Sequence, residues 1–360
     1  MAGRWRVGIL GLGHWYSAYN LARALREYPN GTLVAVASPR DRDHLREFAG
    51  TFGVDAHEDY DALLSRRDVD IVHLAAPVSE LSELAVRSAR AGKHMILGKP
   101  MAMTLAQADA IVDAVEGSRV MCFPQQGIMR LRFAELKRRL ADGIIGPIAV
   151  VHMTCRWSIA EDWLNSGTPG WFADPAHVPG GAFVDEGIYW IDFVQWLAES
   201  EIVQIEAKMA NLVHTDIGVE DWGLATFTLA NGVIATLEAS WTINSPVKTK
   251  PSPKQNAVVR LEVVGQRGEI ADQWFRAPGR AVLAAGAADW IFERQSEEPF
   301  APGKPIALDH LIGCLESGRP PVTTVRDARQ AFAVALAAYA SARTGRAVNL
   351  ITPEPQNLRT

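Results

Sequence analysis

Two short stretches hold residue types suited to proton and group chemistry. In LGKPMAM, residues 97–103, Lys99 stands directly before Pro100 at the end of an apolar, strand-like run. A proline restricts the residue before it to extended backbone, which fixes the direction of the Lys99 side chain. In open α/β sheets ligands gather beyond the carboxyl ends of strands, and Lys99 lies just past one. In PGGAFVDEGIYWIDFVQWL, residues 179–197, Asp185, Tyr189, Asp192 and Trp196 recur at spacings of four, three and four and so share one helix face. Carboxylates at two turns of an otherwise apolar helix are costly to bury unless paired. The stripe therefore reads as a site. Asp185 is suited to bind a substrate hydroxyl or to pair with Lys99, and the Tyr189 phenol, with an ordinary pKa of ~10, becomes a usable proton donor beside a cation. Structural pairing inside a domain interface is the plainer alternative.

VGILGLGHWYSAYNLARAL, residues 7–25, puts Gly11 and Gly13 between a first strand and a helix. Glycines there permit a tight turn and close approach of a pyrophosphate, whose charge meets the free N–H groups and the positive end of the helix dipole. This predicts a dinucleotide site, with Tyr16 where a third glycine usually stands. The second strand ends in Ser38, Pro39 and Arg40, without the carboxylate that usually accepts a ribose 2′-hydroxyl. A hydroxyl and a guanidinium suit a 2′-phosphate better, so NADP is expected, with NAD kept open by Asp41 and Asp43. An ammonium at Lys99 would then face an oxidised nicotinamide, whose like charge and partial desolvation lower its pKa toward the working range. The candidate cofactor residues are Gly11, Gly13, His14, Trp15, Ser38, Arg40, Ala76, Pro77 and Lys99.

CRWSIAEDWLNSGTPGWFADPAHVPGG, residues 155–181, crowds Trp157, Trp163, Trp171 and Phe172 with Glu161, Asp162, Asp174 and His177. Aromatic faces interleaved with hydrogen-bonding groups suit a carbohydrate or cyclic polyol, so Trp157, Trp163 and Trp171 join Lys99, Asp185 and Tyr189 as candidate substrate residues. A satellite hydrophobic cluster under a long loop fits nearly as well. His14 and His177 have no metal-ligand spacing with any partner and none of the nine histidines forms His-Glu-x-x-His, so no metal is expected.

These residues need a scaffold. From Arg4 to Phe123 short β-branched runs (WRVGIL, TLVAVAS, VDIVHLAAP, KHMIL, RVMCFP) alternate with helical patterns, the signature of parallel βαβ units. Leu105 to Glu116 reads as a helix, with Thr104 and Gln107 at capping-box spacing and Gly117 closing its end. After about Gln125 longer strand patterns appear, and Asn231-Gly232 between two alternating runs predicts a hairpin. NSPVKTKPSPKQN, residues 244–256, reads as an exposed loop, and residues 325–344 as a late helix ending at Gly345. The expected architecture is a doubly wound parallel sheet over residues 1–124, followed over 125–360 by a domain built on an open, mainly antiparallel sheet. A sheet with one uncovered face would expose apolar area unless something covers it, so a homo-oligomer through this sheet is expected.

The chain has 360 residues, 48% hydrophobic and 21% charged, a globular composition. A formal net charge of −5 argues against a nucleic-acid binder that relies on a general positive field. Three distant cysteines, Cys122, Cys155 and Cys314, indicate neither a disulfide framework nor a thiolate zinc site. The first residues run straight into a strand and no apolar run approaches the ~20 residues that span a bilayer, so a cytoplasmic protein without membrane contact is expected.

Several segments together resemble the Gfo/Idh/MocA family of glucose-fructose oxidoreductase and inositol dehydrogenase: the glycine turn, residues 69–112, LADGIIGPI, PGGAFVDEGIYWIDFVQWL, residues 219–241 and residues 319–350. The resemblance implies an N-terminal Rossmann domain, a C-terminal open sheet that often forms an oligomer interface, and hydride transfer at a sugar-like hydroxyl or carbonyl carbon. Lys99 matches the lysine of the family's Glu-Lys-Pro motif, and Asp185 the aspartate of its Gly-Gly…Asp-x-Gly-x-His segment. Gly98 replaces the glutamate. Tyr189 replaces the histidine, as in the dihydrodiol dehydrogenase and glucose-fructose oxidoreductase branches, where tyrosine is taken to be the acid/base. Gln126 falls where the family's Tyr-Asn-x-Arg pattern has asparagine, which adds it to the cofactor residues. The expectation is an NAD(P)-dependent dehydrogenase acting on a sugar, cyclitol or related polyol. A redox-neutral enzyme that holds its nucleotide tightly, and a cofactor-sensing regulator without catalysis, are the alternatives.

Overall fold

The computed structural model describes residues 4–40, 42–159, 170–243, 257–274, 279–293 and 305–350. Trp163, Glu161, Asp162, Asp41 and the lysine-rich stretch 244–256 lie outside the described residues. The chain forms two compact units, the first comprising Met1–Leu131, Asp174–Pro179 and Phe300–Phe332, the second Arg132–Ala173, Gly180–Pro299 and Ala333–Thr360.

The first unit alternates β1 (Trp5–Leu10), α1 (Trp15–Leu25), β2 (Gly31–Ala37), α2 (Arg42–Phe52), β3 (Asp55–His57), α3 (Tyr60–Leu64), β4 (Ile71–Leu74), α4 (Val78–Arg90), β5 (His94–Leu97), α5 (Leu105–Glu116) and β6 (Cys122–Pro124), and ends its N-terminal portion in α6 (Ile128–Arg132). All six strands are parallel, in the order β3-β2-β1-β4-β5-β6. The order reverses between β1 and β4, the switch point where such sheets bind ligands. Val7, Ile9, Leu10, Ile71, Val72, Leu74, Met95 and Leu97 are buried, as a sheet covered on both faces requires. Thr104 accepts from the Gln107 amide at 3.2 Å and the Gln107 side chain accepts from Met103 N at 2.9 Å, so α5 starts where its local signals place it.

In the second unit come α7 (Ala134–Ala141), β7 (Ile148–Trp157), α8 (Ala182–Ala198), β8 (Ile202–Ala210), β9 (Trp222–Leu229), β10 (Ile234–Ser240), β11 (Ala257–Gly265), β12 (Glu269–Trp274), β13 (Gly279–Leu283) and β14 (Ile291–Glu293). Next is α9 (Ile306–Ser317), which belongs to the first unit, where Leu308, Leu311 and Ile312 pack with Val7, Ile71, Ile96 and Phe123. α10 (Val325–Thr344) begins in the first unit and ends in the second, before β15 (Val348–Asn349). The second sheet has nine strands in the order β14-β13-β12-β11-β7-β10-β9-β8-β15 and is antiparallel except for the β7–β10 pair. β9 and β10 are joined at Asn231-Gly232, with Gly232 at φ +88°, a left-handed conformation that glycine adopts without strain.

Helix α8 lies on one face of this sheet. A Cβ on Gly223 would come 2.6 Å from Phe183, and one on Gly187 3.3 Å from Leu237, so small residues let helix and strands close up. The sheet residues on that side include Met153, Cys155, Ala225, Phe227, Ala235 and Leu237, all buried. On the other face the strands carry His152, Arg156, Thr226, Thr236, Glu238, Arg260 and Glu262. Leu224 and Ile234 there are 39% and 38% exposed, set among these polar side chains. No described helix is long and apolar enough to cross a membrane.

Candidate functional site

The glycine turn sits at the switch point of the first sheet. Gly11 has φ +86°, and a Cβ on it would lie 2.7 Å from the Ala76 backbone; one on Gly13 would lie 2.6 Å from Pro77 Cδ. Gly11, Gly13, Ala76 and Pro77 therefore converge, and neither glycine tolerates a side chain. His14 N donates to Ala75 O at 2.7 Å, Ser17 N and Ala18 N turn back to His14 O at 3.0 and 3.2 Å, and no side chain caps the start of α1, whose positive dipole end faces the glycine turn. Tyr16, in the third glycine position, places its ring edge-on to His14 at 4.5 Å, while Trp15 stands half-buried at the helix start.

Beneath the turn lies a buried polar network. Ser17 Oγ meets His73 Nε2 at 2.9 Å and accepts from Gln125 Nε2 at 3.1 Å. Burial holds His73 neutral, pushing its pKa down to about 4. His14 is held well below the usual histidine range by burial first, then by the positive charge of Lys99 and by His73. Lys99 is thus near the glycine turn within this unit. It is 3% exposed, and its bond to Pro100 is cis. A Cβ on Gly98 would come 3.0 Å from Leu74 O and 3.1 Å from Leu81, so the position is closely packed.

Gln126, in a single 3₁₀ turn, is 1% exposed, and its Nε2 has no hydrogen-bond partner among the described residues. An orphaned buried donor costs about 1–3 kcal/mol unless a ligand satisfies it. Together with the glycine cradle, that donor makes the unit a fit for a dinucleotide. At the end of β2, Ser38 is buried, with its N–H on His57 O at 3.0 Å. Arg40, the cation expected at a 2′-phosphate, donates through Nε to Glu80 in the first turn of α4.

In the second unit Asp185 and Tyr189 stand half-buried one turn apart on α8, whereas Asp192 is fully buried and Trp196 packs near Phe193 and the Lys137 ammonium. Within the predicted four-residue stripe Asp185, Tyr189 and Trp196 are thus half-buried and only Asp192 is fully buried. A capping group far away in sequence places this helix. Glu220 accepts from Gly181 N at 2.9 Å and Phe183 N at 3.0 Å, and from the Tyr339 hydroxyl at 2.7 Å. The glycine pair makes room for this: a Cβ on Gly180 would come 2.1 Å from the Tyr339 oxygen and one on Gly181 2.0 Å from Glu220 O.

Sequence reasoning did not single out Arg132. Phe133 packs on Trp190 and Phe193 with ring centroids 6.1 and 4.9 Å apart, and Lys137 Nζ donates to Leu197 O at 2.9 Å. Residues 132–137 thus run alongside α8 in the same direction, which brings Arg132 level with Tyr189. Its guanidinium nitrogens Nε and Nη1 are buried. Burial pushes its pKa down to about 10, against which the adjacent Tyr189 side chain raises it. The only legible signal was a charged residue directly before a buried aromatic.

Trp157 closes β7 with its Nε1 3.1 Å from Cys155 Sγ, and Trp171 stacks on Phe172 at 3.9 Å in a separate 3₁₀ turn. Asp174 and His177 are counted in the first unit, where His177 Nδ1 meets Ser79 Oγ at 2.9 Å. Among the described residues no cluster of three or more His, Cys, Asp or Glu could hold a metal ion.

A parallel sheet with a glycine cradle at its switch point, followed by a mainly antiparallel sheet whose helix presents Asp and Tyr, defines the architecture of a nicotinamide-dinucleotide oxidoreductase. Residues 5–126 match the oxidoreductase family with an NAD-binding Rossmann fold and residues 133–271 match the GFO/IDH/MocA C-terminal domain, and the chain belongs to the Gfo/Idh/MocA family. It is 27% identical over 355 residues to scyllo-inositol 2-dehydrogenase (NAD(+)) of Bacillus subtilis (strain 168), covering 96% of each chain. To myo-inositol 2-dehydrogenase of Thermotoga maritima it is 25% identical over 362 residues, covering 96% of this chain and 98% of that one. Among solved structures, aldose-aldose oxidoreductase from Caulobacter crescentus aligns with a TM-score of 0.78 at 25% identity, over 97% of this chain and all of that one.

Proposed function

We propose that this protein oxidises a ring carbinol of a cyclitol or sugar, or reduces the corresponding ketone, with a nicotinamide dinucleotide held by Gly11, Gly13, His14, Trp15, Ala76, Pro77 and Gln126. One observation carries the reading: on the largely buried first half of α8, Asp185 and Tyr189 are the half-buried residues, one turn apart, and the phenol interacts with the Arg132 guanidinium. The inositol dehydrogenase relatives, at full length, support the substrate class.

When bound, the nicotinamide supplies the hydride acceptor or donor. Within the proposal Tyr189, as phenolate, takes the hydroxyl proton in the oxidising direction and returns it in the reducing one. Arg132 stabilises that phenolate. Asp185 accepts a hydrogen bond from a second substrate hydroxyl and so sets the orientation of the ring. Lys99 donates to the oxygen that becomes the carbonyl, sharing its negative charge as the proton leaves. Trp157 and Trp171 are assigned to the apolar faces of the ring, a role that Trp163 would share. NAD and NADP both satisfy this reading. A cytosolic enzyme associating through the open face of its second sheet completes it.

The test is absorbance at 340 nm with each nucleotide against a panel of inositols, aldoses and anhydrosugars. Reduction with at least one ring polyol is expected. Bound nucleotide with no reduction by any member contradicts the reading.

A further inference from the structure

The end of β2 lacks the carboxylate that ordinarily accepts a ribose 2′-hydroxyl, yet a carboxylate is present nearby from another element. Glu80 sits in the first turn of α4, its N–H on Pro77 O at 2.9 Å, directly after the residues that close on the glycine turn. One of its oxygens accepts from Arg40 Nε and the other from the Tyr60 hydroxyl at 3.0 Å. The neighbouring Ser79 is fixed to His177 through both backbone and side chain. The Glu80 side chain is only 18% exposed and the Arg40 side chain 59%, so the carboxylate is the anchored partner and the arginine the one drawn to it. The next basic residue, Arg42, is likewise engaged, by Glu58 at 2.9 Å. Arg40 and Arg42, the basic residues directly after β2, are thus each paired with a carboxylate, and the partly buried Glu80 carboxylate lies beside Arg40.

We propose that Glu80, acting through its hold on Arg40, is the nucleotide-specificity residue of this chain and makes it prefer NAD over NADP. Each Glu80 oxygen keeps a second lone pair, so the carboxylate can still accept a ribose hydroxyl while it repels a phosphate dianion. Arg40 reaches Glu80 through Nε, so any 2′-phosphate met by its other N–H groups would have to lie beside the Glu80 carboxylate and be repelled by it. The specificity carboxylate thus comes from α4 instead of the end of β2. The inference rests on the glycine turn being the dinucleotide site.

The experiment measures dissociation constants of NADH and NADPH by nucleotide fluorescence, without any substrate, for the full-length wild type, Glu80→Gln and the double variant Glu80→Gln/Arg40→Ala. The wild type is expected to bind NADH at least tenfold more tightly. Glu80→Gln moves the ratio of the two constants at least tenfold toward NADPH, and adding Arg40→Ala removes that gain. A Glu80 that merely ties α3 to α4 would lower the melting temperature and leave the ratio alone, which overturns the inference. A wild type that binds NADPH more tightly overturns it as well, and needs no variant to fold. If the wild type binds neither nucleotide, the reading of the glycine turn fails and takes the inference with it.

Discussion

Arg132 is the residue through which the proposed acid/base chemistry is most open to test. A cation beside a phenol favours the phenolate, so Arg132→Gln should move the pH at which kcat/KM reaches its plateau upward by about one unit, with Arg132→Lys in between. A profile unmoved by either change would remove Arg132 from the account. His73 bears on stability instead. Its folded pKa of about 4 lies below the ordinary ~6.5, so between those values the unfolded chain takes up a proton that the folded one refuses. Stability is complete above about pH 6.5 and falls by up to about 3 kcal/mol as the pH drops toward 4, and His14 acts in the same direction. Urea midpoints across pH 4–7 should show a slope that His73→Asn flattens; parallel curves for the two proteins would contradict it. Lys99, Asp185, Tyr189 and the two turn glycines could be proposed from the sequence because each stands at a strand end, a helix repeat or a βα junction. Arg132 and Glu80 were not, since their importance comes from what lies across from them, and neighbours in space leave no spacing in the sequence.

Helix α8 shows how an element can be readable while the group that places it is hidden. Its apolar periodicity and the Gly180-Gly181 start are local, as are the capping box of α5 and the Asn231-Gly232 hairpin, and all three form where local signals put them. The carboxylate that caps α8 arrives from Glu220, some forty positions later, together with Tyr339 from α10. Glu220→Ala leaves two backbone N–H groups and the Tyr339 O–H donor without their acceptor, a loss of about 2–4 kcal/mol. For a chain of this size the melting temperature should fall by about 3–5 °C. Because α8 carries Asp185 and Tyr189, kcat should fall as well. A variant that melts like the parent would show that water replaces the cap. Helix α9 was missed for a similar reason: it covers the first sheet with residues more than 180 positions after β6, a pairing set by shape and apolar area alone.

At the scale of the whole molecule, the doubly wound sheet followed by a mainly antiparallel one was legible from the change in hydrophobic period near residue 125. The contribution of residues 174–179 and 300–332 to the first unit was not, because nothing local marks a chain that returns to an earlier core. Proposed self-association through the open sheet face rests on Leu224 and Ile234 among polar neighbours. Ile234→Arg should then shift sedimentation toward the monomer, and an unchanged coefficient would place the interface elsewhere. The central proposal is that Lys99 and Tyr189 act on one carbinol in one transition state. A double-mutant cycle on kcat/KM with Lys99→Met, Tyr189→Phe and the pair measures this directly. The account predicts losses of about 10²–10⁴-fold for Tyr189→Phe and a double variant little worse than the poorer single one. Losses that simply multiply would show two groups working independently and would contradict it.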